Sequence, residues 1–362
     1  MRQAGARIRV LVVDDSVVIR RLVTDLLTAD SAIEVVGTAQ NGRVSLAKVA
    51  ELKPDIVTMD IEMPDMNGID AVKALRRTNP RLPVIMFSTL TERGASATLE
   101  ALASGASDYV TKPSNAGSVA QSQQNIREQL IPKIKALAGT RRLAAAGQPA
   151  RIPPTIPSKI SRTHPFGVLA IGCSTGGPDA LAHVLPVLPA DLGVPVVVVQ
   201  HMPPLFTRLL AQRLDNQCRL RVTEAENGDK VVPGRVLIAP GGFHMEIVRR
   251  GTDMQVRLTQ EPPENFCRPA VDVMFRTVAK AYGDRTLAVV LTGMGRDGEK
   301  SSRIIRDGGG EVYVQDEATS VVWGMPGAVA LSGLADKVLP LERLGPEVAG
   351  ALMRRSPLAV TS

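Results

Sequence analysis

"AIGCSTGG", residues 170–177, closes an apolar run that starts at Gly167 and breaks into small residues around one serine. "GVLAIG" has the continuous apolarity of a strand buried on both faces. A glycine-rich turn follows it, then a helical pattern over 177–187, which is how an α/β unit opens. The turn fits G-x-S-x-G, where small neighbours expose a serine hydroxyl on a tight strand-to-helix bend. It lacks the lysine and spacing of a phosphate-binding P-loop, and no acid follows about 20 residues on to hold a ribose.

Downstream, the spacing predicts a strand over 194–200 ("VPVVVVQ"), a helix over 205–216 and a turn-rich region of shorter, partly antiparallel strands over 219–258. A helix near 269–282, a strand at 287–291, a helix near 297–307 and a strand at 311–314 resume the parallel pattern. Upstream, short strands are predicted at 8–13, 34–39, 56–59, 84–87 and 107–110. Helical segments near 18–29, 42–52, 69–78, 93–103 and 117–137 separate and follow them. Strand and helix alternate in both halves at βαβ spacing. The expected fold class is α/β: a five-stranded parallel, flavodoxin-like sheet, then a second doubly wound, mostly parallel domain with a small antiparallel section.

A chain of 362 residues suffices for two domains with separate cores. The expected boundaries are a first domain over 1–138, a linker over 139–165, a second domain over 166–350 and a disordered tail over 351–362. The linker holds Pro149, Pro153, Pro154, Pro157 and Pro165 among basic residues, which predicts an extended segment. Cys173, Cys218 and Cys267 are too dispersed for a disulfide framework or a thiolate zinc site. The opening "MRQAGARIRVLVVDDS" turns acidic too soon for a signal peptide. No apolar run approaches the roughly 20 residues of a membrane span, so a cytoplasmic protein without an integral membrane segment is expected. The net charge of +7 raises nucleic acid as a partner, but part of that excess sits in the linker. With 3% aromatic residues for base stacking and no recognisable reading element, no nucleic-acid binding is expected.

Asp14 and Asp15 follow the first predicted strand, Asp60 the third, Ser88 the fourth and Lys112 the fifth. The carboxyl ends of parallel strands meet in one crevice. Carboxylates gathered there repel one another unless a hard cation such as Mg²⁺ offsets them. A hydroxyl and an ammonium in the same crevice would pair with phosphoryl oxygens on Asp60. The alternative is a set of solvated loop ends, which five polar groups at successive strand ends make a poor account. "VVDDS", "TMDIEMPDMNGID", "FSTL" and "DYVTKP" resemble the receiver domains of two-component response regulators. The resemblance implies Asp60 as phosphoacceptor, and Asp14, Asp15, Asp60 and the Glu62 backbone as Mg²⁺ ligands. It also implies Ser88 and Lys112 as phosphoryl sensors, Tyr109 as the aromatic that shifts on activation, and a chemotaxis histidine kinase as phosphodonor.

A serine nucleophile needs a base. Of four histidines, His164 falls in the linker and His183 inside a helix, where packing or surface roles are the ordinary ones. His201 directly follows "VPVVVVQ", at the sheet end where Ser174 also emerges; His244, in "PGGFH", is placed to line the same cleft. Asp297, in "LTGMGRDG" after another strand, either orients the base or caps the helix beginning there. "IGCSTGG", "VVVVQHMPP", "PGGFHM", "RPAVDVMF", "LTGMGRDG" and "GMPGAV" together resemble the chemotaxis protein-glutamate methylesterase/glutamine deamidase family, CheB, over essentially the whole chain. The resemblance implies Ser174 as nucleophile, His201 as general base and Asp297 as orienting acid, with Thr175 and Met294 at the oxyanion hole. Ester hydrolysis then needs no cofactor, and Mg²⁺ serves the receiver alone. Methyl-accepting chemotaxis receptors are the implied substrates, with recruitment to receptor clusters and a cleft occluded until the receiver is phosphorylated. Cys173 and Arg296 depart from the family's smaller residues. The rival expectations are a response regulator with a non-catalytic partner- or DNA-binding output, and a hydrolase of small esters.

Overall fold

The apolar runs of the first half become strands covered on both faces. The computed structural model describes residues 7–112, 119–146 and 165–353. Two compact units result, Met1–Gln148 and Pro149–Ser362.

The first unit alternates β1 (Ile8–Val13), α1 (Val17–Thr28), β2 (Ile33–Ala39), α2 (Gly42–Leu52), β3 (Ile56–Asp60), α3 (Gly68–Thr78), β4 (Val84–Ser88), α4 (Glu92–Ala103), β5 (Asp108–Thr111) and α5 (Val119–Ala146). The sheet is parallel, in the order β2-β1-β3-β4-β5. β3 and β4 are buried along their full length, the mark of a sheet with helices on both faces. Polar caps start the helices: Ser16, Asn41, Asn67 and Thr91 each accept from a backbone N–H in the first turn. α5 runs nine residues past the expected helix end at 137, because "GTRRLAAA" is mostly good helix former and one glycine is too small a penalty to stop it. Of the linker expected over 139–165, residues 139–146 are helical and 147–164, with His164, lie outside the described residues. Of the tail expected over 351–362, residues 351–353 end the last helix and the rest lies outside the described residues.

Gly68 opens α3 where the helix meets the end of β3. A Cβ there would lie far inside van der Waals contact distance of the Asp60 carbonyl oxygen, a backbone atom unable to move without the strand. Gly68→Ala is expected to destabilise the first unit by about 2 kcal/mol, the usual cost of overpacking. A lowered denaturant midpoint at unchanged slope checks it.

The second unit contains β6 (Val168–Cys173), α6 (Gly177–Val184), β7 (Val196–Gln200), α7 (Phe206–Asp215), β8 (Arg221–Glu224), β9 (Arg235–Ile238), β10 (His244–Arg250), β11 (Asp253–Thr259), α8 (Val271–Tyr282), β12 (Thr286–Val290), α9 (Glu299–Asp307), β13 (Glu311–Gln315), α10 (Met325–Leu331), β14 (Lys337–Leu339) and α11 (Leu341–Met353). Seven strands form a parallel sheet in the order β14-β13-β12-β6-β7-β9-β8, and β10 and β11 form a separate antiparallel hairpin. β6, β7 and β12 are wholly buried and form the centre. Val168, Ala170, Val197, Val199, Ala288 and Val290 pack with Val271, Met274 and Phe275 of α8 in one core. The order of β12, β6 and β7 sets the site. From β6 the chain goes to β7 on one side and reaches β12 only later on the other, so a crevice opens at their carboxyl ends.

Candidate active site and phosphoacceptor site

In the first unit the same rule operates between β1 and β3. Asp14 and Asp15 leave β1 and Asp60 ends β3, with one carboxylate oxygen from each within 4.8 Å of the others. Asp14 and Asp60 are buried and Asp15 is exposed. Lys112 Nζ lies 2.8 Å from Asp60 Oδ2 and 3.1 Å from Asp14 Oδ2. Burial pushes the Asp60 carboxyl up to about 6, against the pull of Lys112. Burial acts to lower Lys112, but its bonds to Asp60 and Asp14 prevail and hold it above the ordinary lysine value. Three carboxylates against one ammonium leave net negative charge, and their hard oxygens fit a divalent cation of the Mg²⁺ kind.

A cavity of about 250 Å³ opens here, lined by Asp15, Asp60, Glu62, Ser88 and Lys112 among others. Ser88 is buried, and its hydroxyl is turned to the carbonyls of Gly94 at 3.0 Å and Thr89 at 3.2 Å. Tyr109 is 8% exposed, with Lys133 Nζ 5.2 Å from its ring centroid. The Glu62 side chain is exposed and paired with Arg93 at 3.3 Å.

In the second unit Ser174 directly follows β6, His201 directly follows β7, and Asp297 stands in the turn between β12 and α9. Asp297 is 2% exposed. Its carboxylate accepts from His201 Nε2 at 2.8 Å, Val271 N at 2.6 Å, Asp272 N at 3.0 Å and Asn265 Nδ2 at 2.7 Å. Sequence left open whether Asp297 orients a base or caps α9. Gly298 precedes α9 with no side-chain cap, and the helix whose first amides Asp297 takes is α8. One carboxylate thus faces the positive end of α8 and the imidazole together.

Burial is the largest single influence on His201 and works to lower its pKa, but the hydrogen bonds to Asp297 and Cys267, with the charges behind them, together outweigh it and hold the ring above the ordinary histidine value of 6.5. Those same donors hold Asp297 below 3.8 in spite of its burial. With Nε2–H committed to Asp297, the neutral ring keeps its lone pair on Nδ1, beside Cys267 Sγ at 3.4 Å. Among the described residues no hydrogen bond joins Ser174 Oγ to the ring.

Backbone bonds bring the serine turn to the other two groups. Ser174 N donates to Thr292 O at 3.0 Å, and His201 N to Cys173 O at 3.1 Å. Gln200 Nε2 donates to the carbonyls of both Ser174 and His201, at 2.9 and 3.2 Å. Gly293 leaves no room for a side chain: a Cβ would run into Met325 Sδ and lie 2.8 Å from Ser174 Cβ. This packing puts Met294, the next residue, at the serine turn. Thr175 is buried too, its carbonyl accepting from Thr292 Oγ1 at 2.9 Å.

His244 differs from the expectation that it lines a cleft. It is 1% exposed, accepting from Ala270 N at Nδ1 (3.2 Å) and donating from Nε2 to Pro262 O (3.1 Å). It braces the segment entering α8, because a ring with both nitrogens satisfied is stable in a dry interior. His183 is half exposed on α6, with Nδ1 at its own helix's Asp179 carbonyl. Cys173 is fully buried with its thiol at Val199 O, and burial pushes that thiol well up. Arg296 is exposed and forks onto Glu299 at 2.7 and 2.8 Å.

Gln200, Asn265, Cys267 and Asp272 were missed as site residues. A glutamine ending an all-valine strand was a visible signal for Gln200, since an amide so placed has to find backbone partners. Asp272 is wholly buried, accepting from Ser301 N at 2.8 Å and Asn265 Nδ2 at 2.9 Å, and nothing local in "RPAVDVMF" announces those partners.

A receiver-type acidic pocket on one unit, and a serine, a histidine and a buried aspartate at the switch point of the other, define the class of response regulators with a hydrolase output. The family model described as response regulator receiver domain matches residues 10–123, and the one described as CheB methylesterase matches 169–348. A protein-glutamate methylesterase/protein-glutamine glutaminase of Nocardioides sp. is 58% identical over 98% of this chain and 98% of its own length. Its counterpart from Trichodesmium erythraeum is 48% identical over 94% and 98%. The crystal structure of the Thermotoga maritima CheB methylesterase catalytic domain, 43% identical, covers 51% of this chain and 98% of that one with a TM-score of 0.50. The chain belongs to the CheB family of receiver-linked methylesterases.

Proposed function

We propose that this chain hydrolyses methyl esters of glutamyl side chains on methyl-accepting chemotaxis receptors, releasing methanol, and that phosphorylation of Asp60 raises the rate. The observation that carries the reading is the His201 imidazole, fixed through Nε2 on a buried carboxylate, on a residue whose backbone N–H is bonded to Cys173 O next to Ser174.

In this reading Ser174 Oγ attacks the ester carbonyl while Nδ1 of His201 takes its proton, and the pair tightens only once the acyl group is seated. Asp297 stabilises the imidazolium without itself taking the proton. Amides near Thr175 and Met294 hold the oxyanion, a contribution of about 2.7–4 kcal/mol per donor in a comparable hydrolase. The C–O bond to the methoxy group breaks, and methanol leaves with the proton from His201. Water then gives a proton to Nδ1 and its oxygen to the acyl carbon. The bond from that carbon to Ser174 Oγ breaks as Nδ1 returns the proton to Oγ, which frees the glutamate and restores both Ser174 and His201. For a glutamine side chain the leaving group is ammonia and every other role is unchanged.

At the first site Asp60 Oδ is the phosphoacceptor, with a chemotaxis histidine kinase as donor. Asp14, Asp15, Asp60 and the Glu62 carbonyl would hold Mg²⁺, which when bound offsets charge on the carboxylates and the incoming phosphoryl group. Lys112 pairs with a phosphoryl oxygen, and Ser88 rotates from Gly94 to donate to another. Tyr109 follows that shift. We place the enzyme in the cytoplasm at receptor clusters; among the described residues no helix is long and apolar enough to cross a membrane.

The test is methanol release from methylated receptor membranes, with and without a small phosphodonor and Mg²⁺. Wild type should be stimulated about tenfold, a coupling typical of two linked sites. Asp60→Asn should keep the unstimulated rate and lose the stimulation. No release under any condition from a folded protein would overturn the reading.

A further inference from the structure

One aromatic side chain of the second unit has no packing role. Glu264 and Cys267 close a tight turn, with Cys267 N to Glu264 O at 2.9 Å and Glu264 N to Cys267 O at 3.1 Å. The two residues between them are left-handed, Asn265 at φ +52° and Phe266 at φ +63°. Asparagine tolerates this region, while the second position of such a turn usually takes glycine, because a Cβ is disfavoured there. Phe266 has a Cβ and a ring, and it is 103% exposed, the one aromatic among the exposed large apolar residues described. Water contact and backbone conformation both select against phenylalanine here. Such a combination beside an active site points to a function that outweighs both costs.

The turn is tied to the catalytic groups. Asn265 Nδ2 donates to Asp297 at 2.7 Å and to Asp272 at 2.9 Å. Cys267 Sγ lies 3.4 Å from His201 Nδ1. Arg276 forks onto Glu264 at 3.1 and 2.9 Å. The ring is therefore carried on a rigid support at the rim of the site rather than on a loose loop.

We propose that Phe266 is a specificity-determining contact for the protein substrate: its ring packs on apolar side chains of the receptor helix that bears the glutamyl ester. The inference rests on the esterase reading and adds how that site selects its substrate. A glutamyl side chain has only two methylenes, so its ester reaches Ser174 only when the helix backbone lies against the rim. A ring on that rim then meets residues one helical turn from the glutamyl position. Aromatic rings so held supply contact area at low conformational cost. A free ester buries nothing against Phe266 and gains nothing from it.

The experiment compares wild type, Phe266→Gly and Phe266→Tyr in the full chain with phosphodonor and Mg²⁺. Each is assayed on methylated receptor membranes and on a soluble N-acyl glutamate γ-methyl ester. Glycine suits the backbone, so Phe266→Gly keeps the turn while removing the ring. Phe266→Gly should lower kcat/KM on receptors about tenfold, mainly through KM, which corresponds to one well-placed apolar contact. Its soluble-ester kcat/KM should stay within twofold, and Phe266→Tyr should stay within threefold on both substrates. Receptor turnover unchanged in Phe266→Gly, or an equal fall on both substrates, overturns the docking role while leaving the esterase reading intact. Wild type inert on both substrates overturns the esterase reading and the docking role with it.

Discussion

Ser174→Ala is expected to lower kcat for receptor demethylation by about 100,000-fold or more, as loss of the nucleophile does in serine hydrolases whose triad acts as a unit. The change deletes one oxygen. His201–Asp297, Gln200 to the Ser174 carbonyl and Ser174 N to Thr292 O all involve other atoms and survive. Methanol release should vanish while the thermal midpoint stays where it was. Phosphodonor should not rescue it, because in the proposed reading phosphorylation of Asp60 only speeds a step that Ser174 carries out. Retention of a tenth of the wild-type rate would mean that Ser174 is structural and that water attacks the ester directly.

Asp297→Asn should cost about 10,000-fold, the scale seen when the orienting acid of another Ser-His-Asp triad becomes an amide. Here the reason can be read atom by atom. The carboxylate accepts from four donors, His201 Nε2, Val271 N, Asp272 N and Asn265 Nδ2. An amide has one oxygen for them and turns its own N–H₂ toward the rest. It also supplies no charge for the imidazolium that forms when Ser174 is deprotonated.

The pH profile separates this from general damage. His201 is held above 6.5, so its base form, and with it kcat/KM, should still be rising with pH beyond 6.5 in wild type. Asp297→Asn should move that limb to lower pH, since burial then acts on the ring without an opposing carboxylate. Stability follows the same pair with opposite signs. The raised histidine contributes fully below pH 6.5 and loses its share as pH climbs through its folded value. The lowered aspartate contributes above 3.8 and loses its share as pH falls through its folded value. The pair is therefore worth most between about 3.8 and 6.5, and that pH-dependent increment should disappear in the variant. A residual activity whose pH limb matches wild type would contradict an orienting role for Asp297.

The positions of most site residues were legible because strand ends are local features. "VVDDS" and "IVTMD" place three carboxylates just where apolar runs stop, and "VVVVQH" does the same for His201. His244 was misplaced because "PGGFH" shows a glycine turn and a histidine but not the carbonyl of Pro262 or the amide of Ala270, 18 and 26 residues away. Phe266 passed unnoticed since a single aromatic in a loop has no periodicity to mark it.

From the sequence alone came the α/β class, two units, the strand ends carrying Asp14, Asp15, Asp60, Ser174 and His201, and the families they resemble. The class, the units and the strand ends depend on the length and spacing of apolar runs, which neighbouring residues determine, while the resemblance rests on the quoted motifs. Tertiary structure alone decided that β12 lies beside β6, that Asp297 takes the amides of α8 instead of capping α9, and which imidazole nitrogen meets Asp297. Those outcomes turn on hydrogen-bond partners 25 to 96 residues apart, and a buried carboxylate goes to whichever donors the packed sheet and helices bring within 3 Å.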